Sequence, residues 1–199
     1  MFRYYVTAII LALTAIFGVN AVFITPLPHV SHLDMLAFLV LATAEAFAID
    51  AAVALIVRYA VPQRFYNPLA KRFKCFRAEK KIYTRLGIRK WKDKIPETGG
   101  LLVGFQKKKV TDLKDNAYLY KFMQETCYAE VMHVWSALLG FTIIALCPSP
   151  LRLSVALPVA VVNAVLQLLP VAVQRFIRPQ LLRVYNGNLK RDAQRINTK

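Results

Sequence analysis

Glu125-Thr126-Cys127-Tyr128-Ala129-Glu130-Val131-Met132-His133-Val134-Trp135 carries two carboxylates and a histidine into the start of an apolar run. Ionisable groups at a membrane border are costly to bury and usually have a task. The apolar run continues as Val131–Cys147, and similar runs lie at Tyr4–Thr25, Met35–Val61 and Leu151–Gln174. Each is near the ~20 residues that cross a ~30 Å hydrocarbon core. The run at Val131–Cys147 is short, but its helix can begin in the water-side segment, passing through Tyr118, Phe122 and Glu125, with Thr111 or Asp112 as its cap. Pro158 and Pro170 in the last run can be accommodated by neighbouring helices. The first run is too long for a signal-peptide core and lacks a clear small-residue cleavage site, so it reads as a membrane helix. With 57% of its 199 residues hydrophobic, the chain is too apolar for an ordinary soluble domain.

The reading is an all-α integral membrane protein, a single domain over residues 1–199 with four transmembrane helices in two hairpins. Residues 62–130 form a basic, amphipathic cytoplasmic or interfacial segment between spans two and three. Charge sets the orientation. Of the 27 Lys and Arg, seventeen lie in Pro62–Met123 and seven follow Gln174, while the loop Pro26–Asp34 has none and the turn Pro148–Leu151 has none. The positive-inside rule then places both termini and the long loop in the cytoplasm. The formal charge of +16 fits attraction to anionic lipid headgroups. No recognition-fold pattern accompanies it, which argues against nucleic acid as a partner. The oligomeric state is not legible. Cys75, Cys127 and Cys147 are widely spaced, with no CxxC pair or Cys/His cluster for zinc.

The loop between spans two and three is longer than ordinary connections, so it is expected to be functional and partly structured. Phe65, Leu69, Phe73, Phe76 and Tyr83 recur at helical spacing, with Lys71, Arg72, Lys74, Arg77 and Lys81 interleaved. That predicts an amphipathic helix in the membrane interface, or a lid packed on the bundle. Pro96 and the Gly99-Gly100 pair predict turn and loop. Trp91 among basic residues suits a headgroup-level anchor.

Three constellations are candidates for chemistry. On the helix through Glu125, the residues Thr126, Ala129, Glu130 and His133 share a face by their three- and four-residue spacing, and the small residues Ser136, Ala137 and Gly140 continue it. A histidine beside a carboxylate is oriented and made more basic, as an acyl-transfer base requires. The plainer alternative is a Glu–His bond that locks two helices. One histidine and two carboxylates are too few to argue for a metal. Arg175, Arg178 and Arg183 cluster where the fourth span ends, where guanidinium groups fit phosphate or carboxylate oxygens; a simple basic flank is the alternative. Glu45 and Asp50 lie deep in span two and need partners such as Asn163, Gln167 or Arg58, or must be protonated. Cys127 is read as a buried, inert thiol in preference to a nucleophile.

Together these segments resemble the bacterial glycosyl-4,4′-diaponeurosporenoate acyltransferases. Arg89-Lys90-Trp91-Lys92-Asp93-Lys94-Ile95-Pro96 is similar to that family's RKWK-x-K-I pattern. Glu125, Thr126, Ala129, Glu130 and His133 match E-T-x-x-A-E-x-x-H in order and spacing. Gln174 to Leu181 resemble Q-R-Y-N-R-P-R-L, with Phe176, Ile177 and Gln180 in place of Tyr, Asn and the second Arg. The resemblance spans about Arg85 to Arg183 and implies a membrane enzyme attaching a fatty acyl group to the sugar of a glycosylated carotenoid.

By that resemblance, His133, Glu130 and Glu125 are the catalytic candidates, with His133 as general base and Glu130 orienting it. Trp91, Lys92, Thr126, Gln174, Arg175 and Arg178 are substrate-binding candidates, joined by Asn163 and Gln167 from span four. Membrane lipids and an isoprenoid or glycolipid are the implied partners, and a bacterial inner or cell membrane is the implied location. The acyl donor would be acyl-CoA, an acyl-carrier thioester or a phospholipid, with no resident cofactor or metal. Rival readings are another lipid-modifying enzyme, an isomerase or group transferase, and a non-catalytic lipid-binding subunit.

Overall fold

The structure, a computed structural model, describes residues 2–24, 31–95 and 111–197. Pro96 and the Gly99-Gly100 pair lie outside the described residues, as does most of the loop at Pro26–Asp34. The described residues form helices and turns, with no strand among them. The α-helices are α1 (Phe2–Val19), α2 (His32–Tyr59), α3 (Arg77–Arg85), α4 (Ile88–Trp91), α5 (Asn116–Leu139), α6 (Ile143–Leu146) and α7 (Leu157–Asn197). Four helical stretches are long and apolar enough to cross a membrane: Arg3–Val22, His32–Tyr59, Asn116–Leu146 and Ser149–Asn197.

The boundaries differ from the apolar runs where capping chemistry intervenes. α2 begins ahead of Met35 because Ser31 and Asp34 form a capping box: the Ser31 hydroxyl accepts from the Asp34 amide at 3.1 Å, and Asp34 Oδ2 accepts from the Ser31 amide at 3.1 Å. α5 runs unbroken from the water-side segment into the third apolar run, as the Tyr118, Phe122, Glu125 spacing predicts. Its cap is Asp115 and neither Thr111 nor Asp112. Asp115 Oδ1 takes the amides of Ala117 at 2.8 Å and Tyr118 at 3.1 Å, while Asp112 folds a preceding turn onto Lys114 and Asp115. α7 continues far beyond Gln174 and carries Pro170 and Pro179 inside it.

The single amphipathic helix expected from Phe65 to Tyr83 is corrected. The segment is two short 3-10 turns, Gln63–Tyr66 and Lys71–Phe73, followed by α3. Asn67 is extended at ψ 113° ahead of Pro68, which disfavours the helical region for the residue before it. Asn67 Oδ1 then accepts from the Leu69 amide at 2.9 Å and fixes a turn. α3 ends at Gly87, whose φ of 62° is left-handed and suits glycine.

The chain divides into two compact units. The first comprises Met1–Ala60 and Met132–Leu169. Its core joins Met35, Leu39 and Ala42 of α2 to Ile143, Cys147, Leu151, Val155 and Val159. A π-helical turn at Arg152–Ala156 is tied to the end of α1 by Asn20, whose Nδ2 donates to Ile16 O and Ser154 O, both at 2.7 Å. The outer faces of α1 and α2 expose Leu11, Val40 and Leu55.

The second unit comprises Val61–Val131 and Pro170–Lys199. Its core is Leu119, Phe122, Met123 and Leu181, flanked by Ile177, Leu182 and Tyr185. Tyr66 and Phe73 are also buried, and Phe65 meets both rings edge-on at 5.4 and 6.3 Å. Aromatic rings prefer such tilted contacts.

Candidate functional site

The polar chemistry of the first unit is a chain of three side chains. His133 Nδ1 lies 2.6 Å from Gln167 Oε1, and Gln167 Nε2 donates to Asp50 Oδ2. A carboxylate can only accept, so the Gln167 amide turns its NH2 to Asp50 and its carbonyl to His133. Nδ1 then carries the proton, and Nε2 is the basic nitrogen of the ring. This is the tautomer a general base needs.

Helix register brings these groups together. Gln167 and Asn163 are one turn apart on α7, and His133, Ser136 and Gly140 follow the same face down from α5. Ser136 is buried, and Ser136 and Asn163 stand beside Asp50. Gly140 has a clear role: a Cβ there would stand 2.6 Å from Asn163 Nδ2. Asn163 also lines a cavity whose other walls include Tyr5, Ile9, Ala46, Phe47, Val159 and Leu166.

The second unit holds a dense ionic network. Arg175 grips Glu79 with two prongs, Nε to Oε2 at 2.6 Å and Nη2 to Oε1 at 2.7 Å. Its Nη1 donates to Glu130 Oε1, and Nη2 also reaches the Lys74 carbonyl at 3.1 Å. Arg178 is almost fully buried and pairs with Glu130 Oε2 at 2.7 Å. Its Nε donates to the Thr126 hydroxyl at 2.8 Å and its Nη1 to the Phe73 carbonyl at 3.1 Å. The Thr126 hydroxyl in turn donates a hydrogen bond to Met123 O at 2.6 Å. Both oxygens of Glu130 are thus engaged by guanidinium groups. The sequence spacing gave the orientation of His133 to Glu130; at Nδ1 that contact belongs to Gln167.

Glu79 is the anchor that sequence reasoning missed. Hydrogen bonds from Arg175 hold its carboxyl down to about 2. Cys75 donates to it at 3.3 Å and Tyr83 at 3.1 Å. Burial, then the Glu79 contact, pushes the Cys75 thiol up to about 11. Burial and the Glu79 charge push the Tyr83 hydroxyl up to about 12. Both therefore stay protonated at neutral pH, and Cys75 is no nucleophile there. The available signal was slight: Glu79 is one of only two carboxylates among residues 62–95, in a strongly basic stretch.

Of the sequence-selected residues, Thr126, Glu130, Arg175 and Arg178 form one network, and His133 and Gln167 belong to another that includes Asp50. Asn163 stands one helical turn from Gln167. Gln174 is buried with its Oε1 unpartnered. Glu125 is buried and bonded. Trp91 and Lys92 are engaged locally: Trp91 Nε1 donates to Leu86 O at 2.9 Å, and Lys92 pairs with Asp93 at 2.7 Å.

No curated protein and no solved structure matches the chain. A family model for glycosyl-4,4′-diaponeurosporenoate acyltransferase matches residues 62–186, more than half of the sequence, including all three motifs set out above. The chain therefore belongs to the glycosyl-4,4′-diaponeurosporenoate acyltransferase family.

Proposed function

We propose that this protein moves a fatty acyl group from an acyl thioester or phospholipid to a hydroxyl of a glycosylated, carotenoid-like isoprenoid or a related lipid. It works within a bacterial cell membrane, with both termini and the basic segment in the cytoplasm. The apolar faces left open on α1 and α2 suit hydrocarbon, since so much exposed apolar surface is unusual in water. The bias of Lys and Arg toward the long loop and the tail supports the orientation.

His133 is the general base, and the observation that carries this is its bond to Gln167, itself bonded to Asp50. Nε2 removes the proton from the acceptor hydroxyl, and the resulting imidazolium is stabilised through Gln167 by the Asp50 charge. Glu130 serves by holding Arg175 and Arg178, and Thr126 by receiving Arg178. Rigidly held groups of this kind keep neighbouring catalytic elements in productive geometry.

Mass spectrometry of lipids co-purified with the wild type and with His133→Ala tests the reading. An acylated lipid found only with the wild type, and its unmodified form with the variant, is the expected result. The same unmodified lipid in both preparations would replace acyl transfer with a lipid-binding role.

A further inference from the structure

We propose that the exposed side of α3 is a lipid-docking surface, on which Ile82 and Leu86 enter the headgroup layer while Lys81 and Arg85 meet the phosphates of anionic lipids. The inference goes beyond acyl transfer and needs only that the chain sits in a bilayer.

Two stripes run side by side at this helix. Ile82 and Leu86 are one helical turn apart and are 55% and 57% exposed. Lys81 and Arg85 come one residue before each of them, are also a turn apart, and are exposed as well. An apolar stripe beside a basic one is the pattern of a helix that lies in a membrane interface. Long basic side chains there keep their charge among the headgroups while their stems cover apolar surface. A single exposed apolar residue needs no explanation; here two adjoin, with cations alongside.

Contacts within the second unit fix which side is presented. Glu79 of α3 is held by Arg175, and Ile88 just beyond the helix is 1% exposed. Trp91 Nε1 donates to Leu86 O at 2.9 Å, which ties an indole to the end of α3. Tryptophan is favoured at the boundary between water and hydrocarbon.

Charge selects the partner. Residues 62–95 hold twelve Lys and Arg against two carboxylates, Glu79 and Asp93. Both carboxylates are taken, one by Arg175 and the other by Lys92. Lys80, Lys81 and Arg85 form no ion pair among the described residues. Their counter-charge therefore comes from outside the chain, and anionic headgroups supply it beside an apolar layer that receives Ile82 and Leu86. An acidic protein would also offer charge, but it would have to be brought to the site. The chain itself brings this segment to the bilayer: α2, a membrane-length helix, ends at Tyr59 just before it, and α5 leads into another after it.

The test is photo-crosslinking of the full chain in nanodiscs of mixed phosphatidylcholine and phosphatidylglycerol. A benzophenone amino acid is placed at position 82, 86 or 55, and the captured molecules are identified by mass spectrometry. Positions 82 and 86 are expected to capture lipid, with phosphatidylglycerol above its share of the disc. Position 55, on the exposed face of α2, is expected to capture lipid in proportion to the mixture. Lipid at 55 with none at 82 and 86 overturns the docking surface and leaves the membrane helices standing. No lipid at any of the three ends both readings. Capture of a second copy of the chain at 82 and 86 makes the face a protein interface and also overturns the proposal. With the probe at 86, Lys81→Gln and Arg85→Gln should each lower the ratio of phosphatidylglycerol to phosphatidylcholine by up to about fivefold, with the thermal midpoint near the wild type. A ratio unchanged in both variants overturns the part given to the cations.

Discussion

Arg175 meets Glu79 as a two-pronged pair, Nε to Oε2 at 2.6 Å and Nη2 to Oε1 at 2.7 Å, and so binds α3 to the Pro170–Lys199 part of α7 within the second unit. Paired nitrogen–oxygen contacts of this form give direction as well as energy. The folded-state pKa of Glu79, about 2, lies below its ordinary 4.5. Its contribution to stability is therefore fully present above about pH 4.5 and is lost as pH falls through about 2. The thermal midpoint of Glu79→Gln should lie below the wild type by a constant gap from pH 5 to 8. That gap should narrow below pH 4.5, and a gap that stays the same down to pH 2.5 would show that the charge of Glu79 is not what holds the pair.

Arg178→Ala should be the most damaging single change in the second unit. It strips Glu130 of one of its two cations and leaves Thr126 and Phe73 O without their donor. Breaking one side of a buried ion pair costs roughly 3–5 kcal/mol. Arg178→Lys should rescue little, because an ammonium cannot reach Thr126, Phe73 O and Glu130 in the geometry of a planar fork. Thermal unfolding in detergent measures both; near-wild-type stability of the lysine variant would reduce Arg178 to a point charge.

His133→Ala should lower kcat by roughly 10²–10⁴-fold, the usual worth of a general base. Gln167→Leu should give a smaller fall in kcat with KM near the wild type, because the substrate pocket is intact and only the tautomer is released. The pH–rate profile of Gln167→Leu should also move relative to the wild type. A fall in rate without any change in that profile would assign Gln167 to packing.

Gly140→Ala tests the close approach of Gly140 and Asn163 in the first unit. The new methyl would start 2.6 Å from Asn163 Nδ2, so Asn163 must move. Overpacking of this sort costs typically ~1–3 kcal/mol. Unfolding midpoints should report it, and Gly140→Ala with Asn163→Ala should recover most of the loss. Additive losses would mean that the two positions do not touch.

Topology is open to cysteine labelling in a background with the native cysteines removed. A cysteine at position 31 should label from outside intact cells, and one at position 81 only after permeabilisation. The reverse pattern would invert the orientation and place the basic segment outside.

Much of this was legible because length and periodicity are local properties. The continuation of α5 from Tyr118 through Glu125 into the apolar run follows from helical spacing alone. The sequence also asks that Asp50 be protonated or find a partner among Asn163, Gln167 and Arg58, and Gln167 is one that it finds. Periodicity failed between Phe65 and Phe76 because one Asn-Pro pair outweighs the apolar spacing around it. It failed for Glu79 because nothing local says that a carboxylate in α3 will meet an arginine 96 residues further along the chain. The donors of Arg175 and Arg178 looked free in the sequence for the same reason.

Glu79, Glu130, Arg175 and Arg178 contribute two negative and two positive charges, so the network they form is electroneutral. The whole of the +16 excess therefore lies on other residues, most of them in the basic segment and the tail. Fold and surface are then electrostatically separable. Added salt screens exposed charges over a Debye length of ~8–10 Å, while the largely buried pairs register it much less. Ionic strength becomes a means of asking what the excess charge holds without loosening the protein itself.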